Sequence, residues 1–504
     1  DAISAIAETL AHYQGDQFAA IASPESTNEE IYALQLFTRA VMRTNNVERM
    51  LTPAQRAVEA ASIASLGGDF ANTNNMQEFF SDVKATMAVG PSITDTATIA
   101  SYWFHHSRTY REAKTVVISQ DDYPLARRSE VWLRPAPGMT AMLLNGIAGV
   151  IIRNGLARVT EGAAGFQMWV DEVQNLSVES VAERTGVPAA KIEAAAMIWG
   201  SGGSGKVNDE GKYAPSLIYQ TLAHQTATSG DGWYGDPAEI ATACANLVML
   251  TGNIGRAGGG IASPRGAANA QGAALLGAHP NMLPGGASLD NVGDMQMFAN
   301  AWLPRWADKA STSNGFLPVQ SLPENAGLDR NALIAAINSG SVKAMVVDGS
   351  IAGRHELVDQ ELGEALGKLE FLAVLDSFRS PLVEMADIVL PKAAALEKDG
   401  TFTSFDRTVQ RVRATVPPIG EAKAVNDAIG LLSVRMGYGL TTSTAQQIMS
   451  EIGALVPAFA GVTYPRLERG GISVPAYQFN ETGTPILGTG GDSSLRLTFV
   501  GAAD

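Results

Sequence analysis

The sequence predicts an α/β fold with mostly parallel sheets, and three features support this class. Short apolar runs rich in β-branched residues recur along the chain. Stretches with helical periodicity separate many of these runs, as expected where crossover helices join parallel strands. Several runs end in small or polar residues, for example at Gly90, Ser119 and Asp348. Ligands of open α/β sheets bind at such carboxyl ends of the strands.

The predicted elements follow from these patterns. Short apolar runs predict buried strands, and these lie at residues 18–22, 85–89, 115–119, 216–219, 344–348, 371–375 and 387–390. Longer periodic segments predict helices, among them residues 29–44, 139–154 and 178–198. The end of the chain is rich in Gly, Thr and Pro, and we expect residues 436–504 to form an extended C-terminal tail.

Length, charge and composition exclude several classes of protein. At roughly 150 residues per domain, the chain corresponds to about three domains. Its 36 basic and 51 acidic side chains give a net charge of −15. This charge argues against a nucleic-acid partner and against direct binding to an anionic membrane surface, because both depend on clustered Lys and Arg. No apolar run is long enough to span a bilayer.

The chain contains one cysteine, Cys244, and six histidines. A single cysteine excludes an intrachain disulfide, a four-cysteine zinc site and a cysteine-ligated iron–sulfur cluster. Cys244 lies in an apolar helical run, which predicts a small buried thiol. None of the histidines has the spacing of a known zinc motif. The adjacent His105 and His106 would point about 100° apart on a helix, so they are poor co-ligands.

One glycine-rich segment resembles a phosphate-binding loop. It runs from Gly200 to Lys206, but Val207 stands where such a loop needs Ser or Thr to hold magnesium. We therefore interpret it as a surface loop. A polar cluster at residues 224–226, after a predicted strand, remains open as a site.

A long segment in the middle of the chain, residues 250–286, is rich in Gly, Ala and Asn and has little periodicity. Long loops of this kind inside a compact chain are usually functional or linkers. Parts of this segment combine with two other stretches into a distinctive pattern. The stretches are residues 250–256, 265–272 and 277–281, then 386–391, 397–407 and 409–413, and finally 27–30 with 44–46.

In that order, these stretches resemble the molybdopterin oxidoreductase superfamily, and within it the catalytic subunits of formate dehydrogenases, over roughly residues 1–440. The resemblance implies two Rossmann-like parallel-sheet domains, one inserted in the other. The first domain would comprise residues 1–50 and 271–435, and the inserted domain residues 51–270. The strands at 18–22, 344–348, 371–375 and 387–390 should form one sheet, and those at 85–89, 115–119 and 216–219 another. The family's iron–sulfur and C-terminal dinucleotide-binding domains are expected to be absent from this chain.

The resemblance also implies a cofactor, two molybdopterin guanine dinucleotides around molybdenum or tungsten, with a 4Fe-4S cluster in the missing segment. The metal takes a cysteine or selenocysteine ligand followed by a histidine. That ligand should fall near Ala54, whose side chain has no donor atom for a soft metal. Pro91 removes a backbone donor from the loop after Gly90. A vestigial pocket would retain Gly90, Ser119, Asn253, Arg265, Asn269, Gln271 and Gly272.

These departures predict that the chain binds no metal or pterin and has no active site of its own. It is similar to the cofactor-less C-terminal part of the large peripheral-arm subunit of bacterial NADH–quinone oxidoreductase (complex I). The resemblance then implies a non-catalytic scaffold whose partners are iron–sulfur and flavin subunits. It would be cytoplasmic, peripheral on the inner face of the cell membrane, with only indirect membrane contact. A partner surface is expected around Trp302, Trp306 and Phe316, although such residues often belong to a core.

Three alternatives remain open. The chain could be a formate dehydrogenase-like catalytic subunit with unusual metal ligation, or a subunit of another redox complex paired with a separate iron–sulfur chain. The third alternative is an unrelated Rossmann-type binding module.

Overall fold

The computed structural model describes most of the chain. The described residues are 1–49, 51–66, 83–158, 164–203, 213–222, 234–254, 256, 258–264, 266–306, 320–349, 360–439, 444–474, 478–479, 485–486 and 497–500. The strands there are β1 (Phe18–Ala22), β2 (Val47–Arg49), β3 (Ala85–Val89), β4 (Lys114–Ile118), β5 (Val131–Leu133), β6 (Ser216–Gln220), β7 (Gly260–Ala262), β8 (Ala344–Asp348), β9 (Phe371–Asp376), β10 (Ile388–Pro391), β11 (Gly400–Thr403), β12 (Thr408–Val412), β13 (Ile472–Ser473), β14 (Gln478–Phe479) and β15 (Pro485–Ile486).

Helices connect most of these strands. The α-helices in the described part are α1 (Ala2–Leu10), α2 (Asn28–Leu36), α3 (Pro53–Leu66), α4 (Ile93–Thr96), α5 (Thr98–Arg111), α6 (Pro124–Arg128), α7 (Thr140–Arg153), α8 (Phe166–Gln174), α9 (Val178–Thr185), α10 (Ala189–Gly200), α11 (Pro237–Leu250), α12 (Ala270–Leu275), α13 (Val292–Trp302), α14 (Arg330–Asn338), α15 (Gln360–Leu366), α16 (Pro381–Met385), α17 (Val425–Arg435), α18 (Ala445–Leu455) and α19 (Tyr464–Leu467).

Two five-stranded sheets organise the molecule, and in each of them every pair of neighbouring strands is parallel. The first sheet has the order β10-β9-β8-β1-β2, and the second has the order β5-β4-β3-β6-β7. Their central strands are buried along their whole length. Such strands must be apolar because helices cover both faces of a parallel sheet.

The predicted fold class and the predicted grouping of strands are confirmed. The first sheet takes β1 and β2 from the start of the chain and β8 to β10 from well beyond the second sheet. The second sheet is therefore inserted in the sequence of the first. Strand ends differ from the predictions by one residue at most. The exact domain boundaries stay a prediction.

Two predicted helices differ in the structure. Residues 178–198 form two helices, α9 and α10, because Gly186 adopts a φ of +70° and ends α9, and Pro188 precedes α10. Residues 29–44 are helical only as α2 and a π-helical turn at Phe37–Val41. Beyond that turn, Arg43 has a φ of +66°, which ends the helix.

The C-terminal residues are not all extended, which corrects the expectation of a tail. Helix α18 is amphipathic, and its buried face of Ile448, Met449 and Ile452 packs against α2. This face lies in the same hydrophobic core as the first sheet. Within the described ranges, no helix combines the length and the hydropathy that a membrane span requires.

The prediction that Trp302 and Trp306 lie on a partner surface is also wrong. Trp302 is 0 % exposed and Trp306 is 7 % exposed. The Trp302 indole N–H donates to the Tyr32 hydroxyl at 2.9 Å, and Tyr438 donates to the Trp302 carbonyl oxygen at 2.9 Å. Both tryptophans therefore pack in the core of the first domain, while Phe316 lies outside the described residues.

Candidate functional site

A buried ion pair closes the carboxyl edge of the first sheet. Asp348 is the last residue of β8, and Lys392 follows β10. The Lys392 ammonium binds Asp348 Oδ1 and donates to Ser26 Oγ at 2.7 Å and to the Gly349 carbonyl oxygen at 3.0 Å. Ser26 Oγ donates to Asp348 Oδ2 at 2.5 Å, and the Ser23 backbone N–H reaches the same oxygen at 3.3 Å. We call Ser23, Ser26, Asp348 and Lys392 the first-sheet network.

Burial affects both charged groups of the first-sheet network, and it raises the pKa of the Asp348 carboxyl against the opposing effect of the Lys392 ammonium. None of its residues is more than 7 % exposed. Burial alone would lower the pKa of the Lys392 ammonium, but the carboxylates of Asp348 and Glu30 outweigh burial and raise it. The lysine is therefore charged at neutral pH. A buried cation of this kind is tolerated only with a well-placed counter-ion.

A second buried ion pair anchors the start of α2 in the same domain. Glu30 accepts from Lys398 Nζ at 2.7 and 2.9 Å and from the Val425 backbone N–H at 2.8 Å. Its neighbour Glu29 accepts from the Thr401 backbone N–H at 2.8 Å and from the Tyr464 hydroxyl at 3.0 Å. Burial raises the pKa of Glu29 to about 7, against the opposing effect of these hydrogen bonds. Charged and titrating groups thus join α2 to later segments of the chain.

The carboxyl edge of the second sheet consists mainly of hydroxyls and a glycine turn. Gly90 follows β3 with a φ of +108°, and a Cβ there would lie 2.8 Å from Thr221 Oγ1. Thr221 follows β6 and donates to the Pro91 carbonyl oxygen at 2.7 Å. Ser119 follows β4, and its Oγ lies 3.4 Å from the Tyr234 hydroxyl. Glycine is the residue that fits between this turn and Thr221, because it has no Cβ and adopts a positive φ without strain.

A carboxylate of the chain itself binds the loop after β3. The Ser92 backbone N–H donates to Asp121 Oδ2 at 2.8 Å, and the Asp121 N–H donates to Ser119 Oγ at 3.1 Å. In doubly wound folds, backbone N–H groups of such loops contact the phosphates of a bound nucleotide. In both sheets, an internal aspartate accepts a backbone N–H at this edge.

Ala54 lies in the first turn of α3 and is 9 % exposed. Two buried charged residues flank this turn in the sequence, Arg49 before it and Glu59 after it. Arg49 binds the carboxylate of Glu59, and His279 Nε2, from a distant part of the chain, lies 3.9 Å from the same carboxylate. Burial raises the pKa of Glu48 to about 7, although the neighbouring Arg49 opposes that shift. Arg49 also keeps two buried nitrogens, Nε and Nη1, without a hydrogen-bond partner among the described residues.

The structure brings together some residues of the predicted vestigial pocket and separates others. Gly90 and Ser119 lie at the carboxyl edge of the second sheet. Asn253 lies at the opposite edge, where its Oδ1 accepts from the backbone N–H of Ser216 at 2.9 Å, at the start of β6. Arg265 is outside the described residues.

The remaining predicted pocket residues sit at the start of α12. Asn269 is fully buried and bridges two segments, donating to the Ser26 carbonyl oxygen at 2.7 Å and accepting from the Thr403 N–H at 2.6 Å. Gln271 is 1 % exposed. A Cβ on Gly272 would lie 2.1 Å from Asn28 Oδ1, so glycine is required for α12 to pack on α2. Asn269 and Gly272 thus have structural roles.

The other candidates from the sequence have ordinary environments. Cys244 is fully buried in α11, and burial raises the pKa of its thiol, as expected for an inert cysteine. His105 and His106 lie on α5 and are partly exposed. Residues 204–212 and 224–226 are outside the described ranges. Across the part that the structure describes, no three His, Cys, Asp or Glu side chains form a group that could hold a metal ion.

The sequence does not predict most of the polar side chains that bind one another near the two sheet edges. It marks Asp348 as a strand end but gives no partner for it, and it does not single out Lys392 and Glu29 in the first domain or Asp121 at the edge of the second sheet. The available signal is a charged residue at the end of an apolar strand or directly after it, because such positions meet at one edge of a parallel sheet. Two of these residues follow that rule: Asp348 and Lys392.

Comparison with sequence families matches residues 1–435 to the family described as Molybdopterin oxidoreductase. Among curated relatives, a formate dehydrogenase subunit alpha of Methanococcus maripaludis is 29 % identical over 97 % of this chain and 67 % of its own length. The probable oxidoreductase YjgC of Bacillus subtilis is 29 % identical over 96 % of this chain. The alignment spans 45 % of that relative, so the chain covers less than half of its length.

A solved structure gives the same fold. Acetylene hydratase from Pelobacter acetylenicus superposes with a TM-score of 0.66 over 95 % of this chain and 64 % of that protein. The sequence identity is 16 %, so this likeness concerns the fold alone.

Proposed function

Because the chain belongs to the molybdopterin oxidoreductase family, we propose that it is a non-catalytic member, a structural module of a respiratory NADH–quinone oxidoreductase. In this proposal the chain binds neither molybdenum nor tungsten nor a pterin. Iron–sulfur and flavin subunits carry the electrons, and the complex holds this chain at the cytoplasmic face of the membrane. The observation that carries this proposal is Ala54, which stands near the expected metal-ligand position and has no donor atom in its side chain.

The side chains around Ala54 do not fit a soft metal. The resemblance implies a cysteine or selenocysteine ligand for the metal, or a serine or aspartate in some relatives. Residues 51–58 contain no cysteine, serine, aspartate or histidine. The single thiol, Cys244, is fully buried in α11. Glu59 binds one nitrogen of the Arg49 guanidinium, Nη2, whereas Nε and Nη1 have no partner among the described residues. A guanidinium only donates hydrogen bonds, so Arg49 cannot act as a metal ligand.

The two strand edges support the same proposal. Asp348 and Asp121 accept backbone N–H groups at the places where doubly wound folds contact phosphate. A carboxylate at such a place repels a phosphate group and already satisfies the donor. The residues present therefore suit a dinucleotide poorly, and we derive no reaction step through such a cofactor.

Metal and pterin analysis tests the proposal. The chain should be expressed in a host that makes the molybdenum cofactor, purified, and assayed for molybdenum, tungsten and the fluorescent oxidised pterin. We expect none in stoichiometric amount. The Ala54→Cys variant, which restores a thiol alone, should also remain metal-free. Stoichiometric metal in the unmodified chain would contradict the proposal.

Affinity purification from the native cell tests the proposed assembly. Co-purification with flavin- and iron–sulfur-bearing subunits of an NADH-oxidising complex is the expected result. Recovery of the chain alone, with no redox subunit, would contradict the assembly while leaving the metal result unaffected.

A second candidate is a formate dehydrogenase-like catalytic subunit. The alignment with the Methanococcus formate dehydrogenase subunit covers almost the whole chain. In addition, Tyr219 and Gln220 at the end of β6 each keep a buried oxygen without a hydrogen-bond partner among the described residues, and a ligand could satisfy these atoms. Formate-dependent reduction of a dye by the same purified sample, together with bound metal, would favour this candidate.

A further inference from the structure

The first-sheet network has the composition of an anion-binding site. Its donors come from three different kinds of group: the backbone N–H of Ser23, the hydroxyl of Ser26 and the ammonium of Lys392. They belong to the segments that follow β1 and β10. All three donate to one carboxylate, that of Asp348.

These donors converge at the place where open α/β sheets bind ligands. Strand β8 lies between β1 and β9 in the first sheet, so Asp348 is at the centre of the carboxyl edge. Anionic ligands bind in the crevice outside such edges, where backbone N–H groups point outward. Asp348 presents its carboxylate at this point from within the sheet.

The surroundings fix the cation in place. Lys392 uses its three N–H bonds on Asp348, Ser26 and the Gly349 carbonyl oxygen. Gly349 cannot be replaced easily, because a Cβ there would lie 2.4 Å from Asp376 Oδ2. The ammonium is thus held by neutral oxygens on two sides and by a carboxylate on the third.

We infer that Ser23, Ser26 and Lys392 form a site for a small oxyanion, a carboxylate or a phosphate, and that Asp348 occupies this site as an internal ligand. The Asp348 carboxylate occupies the position that a small anion from solution would take if this side chain were absent. Removal of the Asp348 carboxylate should then expose a site that takes an anion from solution. This inference depends on the network alone, so the metal analysis above decides a separate question.

The test is chemical rescue of Asp348→Ala by formate, whose size matches the group removed. Thermal unfolding of the full chain is measured with sodium formate, sodium phosphate or sodium chloride at equal ionic strength. We expect formate or phosphate to raise the unfolding midpoint of D348A by several degrees more than chloride does. The unmodified chain should show no such selectivity.

Two variants serve as matched controls. Asp348→Asn is also uncharged but fills the space, so its midpoint should not respond selectively to formate or phosphate. The double variant D348A/K392M lacks the cation and should lose the selective response. Equal responses of D348A and D348N, or no selective response in D348A, would overturn the inference.

A variant that fails to fold in plain buffer is tested by refolding. D348A is unfolded in urea and diluted into formate or chloride, and the recovered fraction is measured by near-ultraviolet circular dichroism. A larger recovered fraction in formate supports the internal-ligand site. Equal recovery in both salts, including no recovery in either, overturns it.

Discussion

The two sheets share a parallel, five-stranded design but differ at their carboxyl edges. The edge of the first sheet contains buried charges, the Asp348–Lys392 pair, with the Glu30–Lys398 pair nearby. The edge of the second sheet is built mainly from hydroxyl and backbone hydrogen bonds, around Gly90 and Thr221. Buried ion pairs are costly to break, whereas neutral hydrogen bonds each contribute little. The first edge should therefore be far more sensitive to substitution than the second.

The largest effect is expected for Lys392→Met. This substitution leaves the Asp348 carboxylate buried without its cation, and we expect the free energy of unfolding to fall by about 3–5 kcal/mol. Thr221→Val at the second edge removes one neutral hydrogen bond and should lower it by about 1 kcal/mol. Urea unfolding followed by circular dichroism measures both. A similar fall in the free energy of unfolding in the two variants would contradict the claim that the first edge is the more sensitive one.

The next effect is a dependence of stability on pH. The pKa of Glu29 is raised from 4.5 to about 7 in the folded chain, so folding retains a proton that the unfolded chain loses. This contribution is complete below pH 4.5 and is lost as the pH rises through 7, by up to about 1.4 kcal/mol per pH unit between these values.

Glu29→Gln keeps the neutral shape and should flatten part of that slope. Glu48, whose pKa is also raised to about 7, acts in the same direction, so adding Glu48→Gln should flatten the slope further. Burial also raises the pKa of Asp348, so some slope should remain in the double variant. Urea midpoints measured between pH 5 and 8 give the slopes. An unchanged slope in the double variant would mean that other groups carry the pH dependence.

A smaller effect is expected for Gly90→Ala. Alanine at this position would have to keep a φ of +108°, and its Cβ would lie 2.8 Å from Thr221 Oγ1. We therefore expect the free energy of unfolding to fall by about 1–3 kcal/mol. Gly138→Ala is a matched control, because Gly138 has a φ of +77° with open space around it. Equal losses, measured by thermal unfolding, would show that backbone conformation alone matters at Gly90.

The smallest effect is expected for Asp121→Ala, which leaves the Ser92 backbone N–H without its acceptor. Because Asp121 is only partly buried, water can replace the carboxylate, and the loss should be about 1 kcal/mol or less. Hydrogen exchange of the Ser92 amide should speed up in this variant. Unchanged exchange would show that the carboxylate does not protect the loop.

Local patterns sufficed for the long strands but not for the edge chemistry. Five-residue apolar runs such as Phe18–Ala22 predict buried strands directly. The three-residue strands β2, β5 and β7 are too short to show a pattern. The contact of Ser23 with Asp348 joins residues 325 positions apart, and only the folded sheet brings them together. The sequence predicts where such residues end up, at strand ends, but not which of them pair.

The split of the first sheet has a consequence for biosynthesis. Strand β1 pairs with β8, for example at Ala20 and Val346, and most of the intervening chain belongs to the second sheet. A ribosome that adds about 5–20 residues per second needs some tens of seconds to reach β8 after β1 has emerged. During that interval, β1 and helix α2, whose residues are all buried in the folded chain, lack the strands and helices that later cover them. We expect chaperones to bind the N-terminal segment while the inserted sheet folds first.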